Sequence, residues 1–194
     1  MTYHGLCTVR KDHQIQTRAV NVDESQLRDK HFACTGCGIC CTGSGNVWCS
    51  RGELDAILKH HGGGMTFEEY VQEHCDVDAM RKRQVDSSEW FILKNAPGTD
   101  HCIFLNPENN HCKIYGTRPL QCSTYPWWPE LVGSNKAWEH EAYAVCEGIV
   151  VMDNSIDAVE RLDVIRNVGA EFHTMEEKIE KLDAFCTYLE DFPY

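Results

Sequence analysis

The stretch FACTGCGICC, residues 32–41, places thiols at Cys34, Cys37, Cys40 and Cys41, with Gly36 and Gly38 between them. A thiolate is a soft anionic donor, and two of them separated by two residues can reach one metal centre, because the intervening turn brings both sulfurs to the same side. Gly36 and Gly38 permit positive φ in such a turn and expose N–H groups that can hydrogen-bond to sulfur. The spacing C-x2-C-x2-C resembles the run that wraps an iron–sulfur cube, whereas structural zinc more often takes two C-x2-C pairs from separate loops. Adjacent side chains of an extended chain point to opposite faces, so Cys40 and Cys41 do not readily grip one ion. One of the pair is expected to ligate a second centre, to ligate nothing, or to act as a redox thiol.

Four more cysteines, Cys102, Cys112, Cys122 and Cys146, sit at element edges in HCIFL, HCKIY, LQCSTYP and AVCEGI. From such positions separate segments can converge on an ion, and eight thiols suffice for one cluster with spares or for two four-coordinate sites. Cys7, Cys49, Cys75 and Cys186 lie outside this pattern and are read as small buried hydrophobes. His101 and His111 directly precede Cys102 and Cys112, and alternation turns their side chains away from the thiols. Arg118, next to Pro119, has two readings: a salt bridge to a carboxylate, or a positive charge offsetting an anionic thiolate site. Trp127 and Trp128 are expected to roof a metal centre and to mark where a partner docks. No G-x-G-x-x-G, Walker loop, G-x-S-x-G or H-E-x-x-H occurs, so nucleotide-dependent and standard hydrolytic chemistry have no support.

The elements that must position these residues are readable in part. Ser50 and Glu53 have the spacing of a capping box, and Leu54, Ile57 and Leu58 form an apolar stripe, so a helix is predicted over 51–61, its end marked by His60 and His61. GGG at 62–64 breaks it, and Thr66 with Glu69 opens a second helix. GSGNVWCS predicts a turn and a short strand, and TRAVNV at 17–22 another. EWFILK reads as a strand, CIFL and CKIY as a hairpin across NPENN, and AWEHEAYAV as a further strand by alternation. In the tail, Ile156, Val159, Leu162, Ile165 and Val168, then Met175, Ile179, Leu182, Phe185 and Leu189, recur at three and four residues. They predict two helices broken near Gly169 and packed on their own core. No internal repeat is evident.

The chain of 194 residues is 42% hydrophobic and 25% charged, the composition of one globular domain. The expected fold is a single α+β domain over 1–194, with a cysteine-rich, loop-dominated core at 32–148 and a helical segment at 153–191. Thirty acidic against 18 basic residues give a net charge of -12, which disfavours nucleic acid and anionic membranes as partners. No run is long and apolar enough to span a bilayer, and the N-terminus lacks a secretory core, so the cytoplasm, or an organelle interior after a removed targeting peptide, is expected. Twelve cysteines in an intracellular chain with room for a core point to metal or redox chemistry rather than a disulfide scaffold.

The combination resembles the CxxCxxCC cysteine-cluster (YkgJ-like) family, described as zinc- or iron-chelating domains or iron–sulfur oxidoreductases. The resemblance is carried by the run at Cys34, Cys37, Cys40 and Cys41, by CIFL at Cys102, by CKIYGTRPLQC from Cys112 to Cys122 and by YPWWPE after it. It implies a chelating role for those cysteines and, more loosely, for Cys146, where the family pattern is Cys-Pro-Gly and this chain has Cys-Glu-Gly. A basic residue that family members place after the third downstream cysteine is Ser123 here. The resulting expectation is an iron–sulfur cluster, four-iron and four-sulfur, on Cys34, Cys37, Cys40, Cys41, Cys102, Cys112, Cys122 and Cys146. It would serve a redox or electron-transfer role, possible oxidoreductase activity included, with a protein redox or assembly partner. The alternative is a zinc-stabilised interaction module; a metal-dependent enzyme is the third class.

Overall fold

The computed structural model describes residues 4–11, 14–43, 45–84, 89–153 and 155–192. In chain order the elements are β1 (His4–Lys11), β2 (Gln14–Asp23), α1 (Glu24–Arg28), β3 (His31–Phe32), β4 (Trp48–Ser50), α2 (Arg51–His61), α3 (Phe67–His74), α4 (Val77–Lys82), β5 (Trp90–Ile92), α5 (Leu120–Thr124), α6 (Pro129–Val132), α7 (Asn135–Ala144), β6 (Ile149–Val150), α8 (Ile156–Asn167) and α9 (Met175–Glu190). The strands form three antiparallel pairs, β1 with β2, β3 with β6 and β4 with β5, so the class is α+β. No helix among the described residues is long and apolar enough to cross a membrane.

Chain contacts divide the molecule into two compact units, residues 1–37 with 124–192 and residues 38–123. The first unit is built on a hydrophobic cluster that includes Leu27, Phe32, Trp127, Val132, Trp138, Cys146, Ile149 and Leu182. β3 pairs His31 with Val150 and Phe32 with Ile149, and the ladder continues one step through Ala33 N–H to Gly148 O at 3.0 Å. α9 buries Leu182, Phe185 and Leu189, three of the five residues of its predicted stripe. Lys178 on the same helix is also buried: its ammonium donates to Leu27 O at 3.1 Å and Lys30 O at 2.6 Å, satisfying carbonyls at the end of α1.

α8 departs from its predicted stripe. Ala158 and Ile165 are buried, but Ile156, Val159 and Val168 are exposed. The guanidinium of Arg161 draws the other face inward, donating to Cys146 O at 2.9 Å and Ile149 O at 3.3 Å while paired with Asp157 at 2.6 Å. Two turn carbonyls and a carboxylate thus outweigh three aliphatic side chains in setting the helix rotation.

In the second unit the capping boxes form as expected. Ser50 and Glu53 start α2, Thr66 and Glu69 start α3, and Leu54 and Ile57 are fully buried. β4 pairs Cys49 with Phe91, and Cys75 bridges Leu93 on the other side of the same strand. Two strand predictions fail. AWEHEAYAV is α7, capped by Ser134 and burying Trp138 and Ala142, an i, i+4 pair. CIFL and CKIY form no hairpin; only isolated bridges, Asn95 with Cys102 and Leu105 with Cys112, link these segments.

Candidate metal centre

The segments that fail to form a hairpin are instead two copies of one loop, ten residues apart. In the first, Ala96 N–H donates to His101 O at 2.7 Å, Ile103 N–H to Lys94 O at 3.1 Å and Leu105 N–H to Cys102 O at 2.9 Å. In the second, Asn106 N–H donates to His111 O at 2.9 Å, Lys113 N–H to Phe104 O at 2.9 Å and Tyr115 N–H to Cys112 O at 3.2 Å. The side-chain bonds repeat as well, His101 N–H to Thr99 Oγ1 and His111 N–H to Asn109 Oδ1. Each copy ends in a turn that begins at a cysteine, and in each the amide two residues on, Phe104 or Ile114, donates to that cysteine's sulfur. An internal repeat therefore exists. Its sequence trace is Pro97, His101 and Cys102 against Pro107, His111 and Cys112.

Against the second loop lies the end of the CxxCxxCC run. Gly38 has φ 77°, and a Cβ there would fall 2.1 Å from Asn110 O, so only glycine fits. Cys41 N–H returns to Gly38 O at 2.9 Å and Cys41 O accepts from Cys102 N–H at 2.8 Å, which ties the run to the first loop. The thiols of Cys41, Cys112 and Cys40 influence one another's titration. Cys41 keeps its proton, and its titration is pushed far up by donation to Cys112 and Cys40 and by burial. The same interaction draws Cys40 down to about 7 and Cys112 down to about 6, with the Ile114 amide helping Cys112 and Arg118 helping both. Burial pushes Cys102 and Cys122 up. The adjacent pair differs: Cys40 is exposed and drawn down, and Cys41 is half-buried and pushed up.

The second unit accordingly carries Cys40, Cys41, Cys102, Cys112 and Cys122. Cys34, Cys37 and Cys146 belong to the first. There Cys34 packs against the cluster that contains Cys146. The hydroxyl of Tyr125 donates to Glu141 Oε1 at 2.6 Å and is within hydrogen-bond reach of Cys146, neighbours that sequence reasoning missed because only the fold brings them together. Among the described residues no three Cys, His, Asp or Glu side chains are arranged so that they could hold an ion.

The remaining predicted residues fall as follows. All eleven cysteines with described side chains are free thiols; the side chain of Cys7 lies outside the described residues. Cys49 and Cys75 are fully buried, Cys75 being pushed up to about 12 by that burial, which suits inert core thiols. His101 and His111 are exposed. Trp127 has no exposed surface: its Nε1 donates to His173 Nδ1 at 2.7 Å, while Trp128 stacks on Phe185 at 5.2 Å. Trp127 therefore offers a partner nothing to dock on, and it shares its cluster with Cys34 and Cys146.

Thiols are soft donors of the kind a thiophilic cation takes, and the class defined is a cysteine-rich α+β protein. The chain belongs to the CxxCxxCC family, whose model, described as "Putative zinc- or iron-chelating domain", matches residues 33–187. No solved structure matches it.

Proposed function

We propose that the protein holds an iron–sulfur cluster, of the four-iron, four-sulfur type, on cysteine thiolates and serves in redox or electron transfer with a protein partner. The observation that carries this reading is the pair of repeated loops, each closing a turn at a cysteine, Cys102 or Cys112, with the first tied to the CxxCxxCC run by Cys102 N–H donating to Cys41 O at 2.8 Å. Amide donation to sulfur stabilises the thiolate form and is one of the levers that set a cluster's potential. The ligand candidates are Cys40, Cys41, Cys102, Cys112 and Cys122 in the second unit and Cys34, Cys37 and Cys146 in the first. A bound cluster would supply one-electron chemistry, and the chain's own part is to orient the sulfurs. The competing reading is a zinc-stabilised module without turnover, favoured by residues 94–117, whose only regular element is one 3-10 turn at Tyr115–Thr117 and which a closed structural ion would organise.

Anaerobic purification with metal analysis separates the two. The proposal expects iron and sulfide, a broad visible band that dithionite bleaches reversibly, and a paramagnetic reduced state; stoichiometric zinc with no reducible band would select the zinc module. Cys37→Ser and Cys41→Ser should each lose most of the metal, whereas Cys75→Ser and Cys186→Ser should keep it. Full occupancy in both of the first two variants would sink the ligand assignment.

A further inference from the structure

The rotation that Arg161 imposes on α8 turns an apolar row outward. Eight large apolar side chains are exposed among the described residues, and five of them fall between 143 and 168, all in the first unit. Four make one patch: Tyr143 at the end of α7, Met152 just before α8, and Ile156 and Val159 in its first turn, each more than half exposed and Ile156 79% so. The patch is continuous. The Tyr143 hydroxyl donates to Asp153 Oδ2 at 3.3 Å, directly beside Met152, its ring lies 5.7 Å from the Arg161 guanidinium, and Ile156 and Val159 are neighbours on one helix face. Single exposed apolar residues need no partner, but a cluster at helical spacing is surface whose removal from water favours association.

The charges around the patch say what would cover it. Glu160 stands four residues after Ile156 and Asp163 four after Val159, so each carboxylate adjoins an apolar residue on the same face. Asp153 and Asp157 stand on the Tyr143 side, the first accepting its hydroxyl and the second paired with the guanidinium that its ring faces. The cations of α8 are already engaged: Arg161 is turned inward onto Cys146 O, Ile149 O and Asp157, and Arg166 pairs with Asp163 at 2.9 Å. A second copy docking on this face would set one acidic rim against another, and an anionic membrane would meet the same repulsion.

We propose that this face of α8, with Tyr143 and Met152, is a docking surface for a cationic amphipathic segment of a partner protein, one that carries aliphatic side chains among lysines or arginines. The apolar row supplies affinity, and the carboxylates steer the approach and fix its orientation. No patch residue is a candidate metal ligand, so the inference goes beyond the metal reading and its test needs no bound ion.

The full-length protein is titrated with a labelled 14-residue amphipathic peptide of leucine and lysine, and with its leucine and glutamate counterpart, at low and high salt; fluorescence anisotropy reads affinity and backbone amide shifts read location. The lysine peptide should bind and shift residues 152–163, while the glutamate peptide should not. Ile156→Ser with Val159→Ser should weaken binding about 10-fold or more, and Glu160→Lys should weaken it at low salt by an amount that shrinks in high salt. Shifts confined to another face, an affinity that the double variant leaves unchanged, or equal binding of the two peptides would each overturn the inference. So would sedimentation that shows a dimer dissolved by Ile156→Ser, which gives the face to a second copy, or displacement of the peptide by anionic phospholipid vesicles, which gives it to a membrane. Far-UV dichroism checks the variants, and if the double variant fails to fold, the shift map and Glu160→Lys decide by the same outcomes.

Discussion

Gly38 shows how much a single residue determines here. Its φ of 77° is shared by Gly36 at 74°, and both follow from a turn between cysteines. The surroundings differ, however. A Cβ at Gly36 meets open space, whereas at Gly38 it would meet the carbonyl of Asn110. Gly36→Ala should therefore cost only the left-handed backbone, roughly 1–2 kcal/mol. Gly38→Ala must also push the second cysteine loop away from the run, so urea unfolding should find it the less stable of the two and metal analysis the emptier. Equal behaviour of the two variants would mean that the contact with Asn110 carries no energy. The positive φ was legible in the sequence from the glycines themselves. The opposing carbonyl was not, because 72 positions separate Gly38 from Asn110 and no local pattern records their approach.

Elements are held here by polar side chains as much as by apolar stripes. One carboxylate, Glu53, closes the capping box of α2 through Ser50 and also accepts from Leu120 N–H at 2.5 Å, fixing the start of the helix that carries Cys122. Ser50→Ala should cost about 1 kcal/mol, the usual worth of a cap. Glu53→Ala should cost more and also raise the reactivity of Cys122 toward alkylation in metal-free protein; an unaltered Cys122 rate would show that Leu120 finds another acceptor. Lys178 ties α9 to α1 in the same manner, and Lys178→Met removes the ammonium donor from the carbonyls of Lys30 and of Leu27, which keeps only the Lys30 N–H, at about 1–3 kcal/mol in chemical denaturation. Burial lowers the Lys178 titration from its ordinary range, so the native state sheds this proton at a lower pH than the unfolded chain does. The stability that Lys178 contributes is then greatest above the ordinary lysine range and falls as the pH drops through the lowered value. The wild type should accordingly gain on Lys178→Met as alkaline pH rises, and a gap that narrows would refute the sign.

Helix starts were legible wherever a capping pair stood before an apolar stripe, as at Ser50 and Thr66. α7 was not, because Trp138 and Ala142 sit among polar residues that also fit an alternating pattern. The CIFL and CKIY segments misled for a chemical reason: the amides of Phe104 and Ile114, which a strand would spend on a ladder, are turned toward sulfur.

For the molecule as a whole, regular structure and the candidate ligand thiols are unevenly shared. Residues 94–117 carry Cys102 and Cys112 and one short 3-10 turn, while α2, α3 and α9 have capped starts and buried faces. Removing the metal should erase amide protection from exchange first in 94–117 and leave α9 nearly intact, with the five tryptophans reporting any wider loosening by near-UV dichroism. Unchanged exchange in 94–117 after verified removal would place the ion elsewhere. At this scale the α+β class was legible from the mixture of strand and helix patterns, and the family from the cysteine spacing. The division into two units was not, since its boundary falls between Cys37 and Gly38, inside the motif that defines the family.

That division also orders events in time. The unit of residues 38–123 is a single uninterrupted stretch, whereas the other is split between the two ends of the chain. During synthesis the inner stretch is made before residues 124–192, which the first unit needs. The inner stretch can thus begin to fold before the first unit has its C-terminal half, and the family motif, which straddles the boundary, is folded on both sides only when that half arrives.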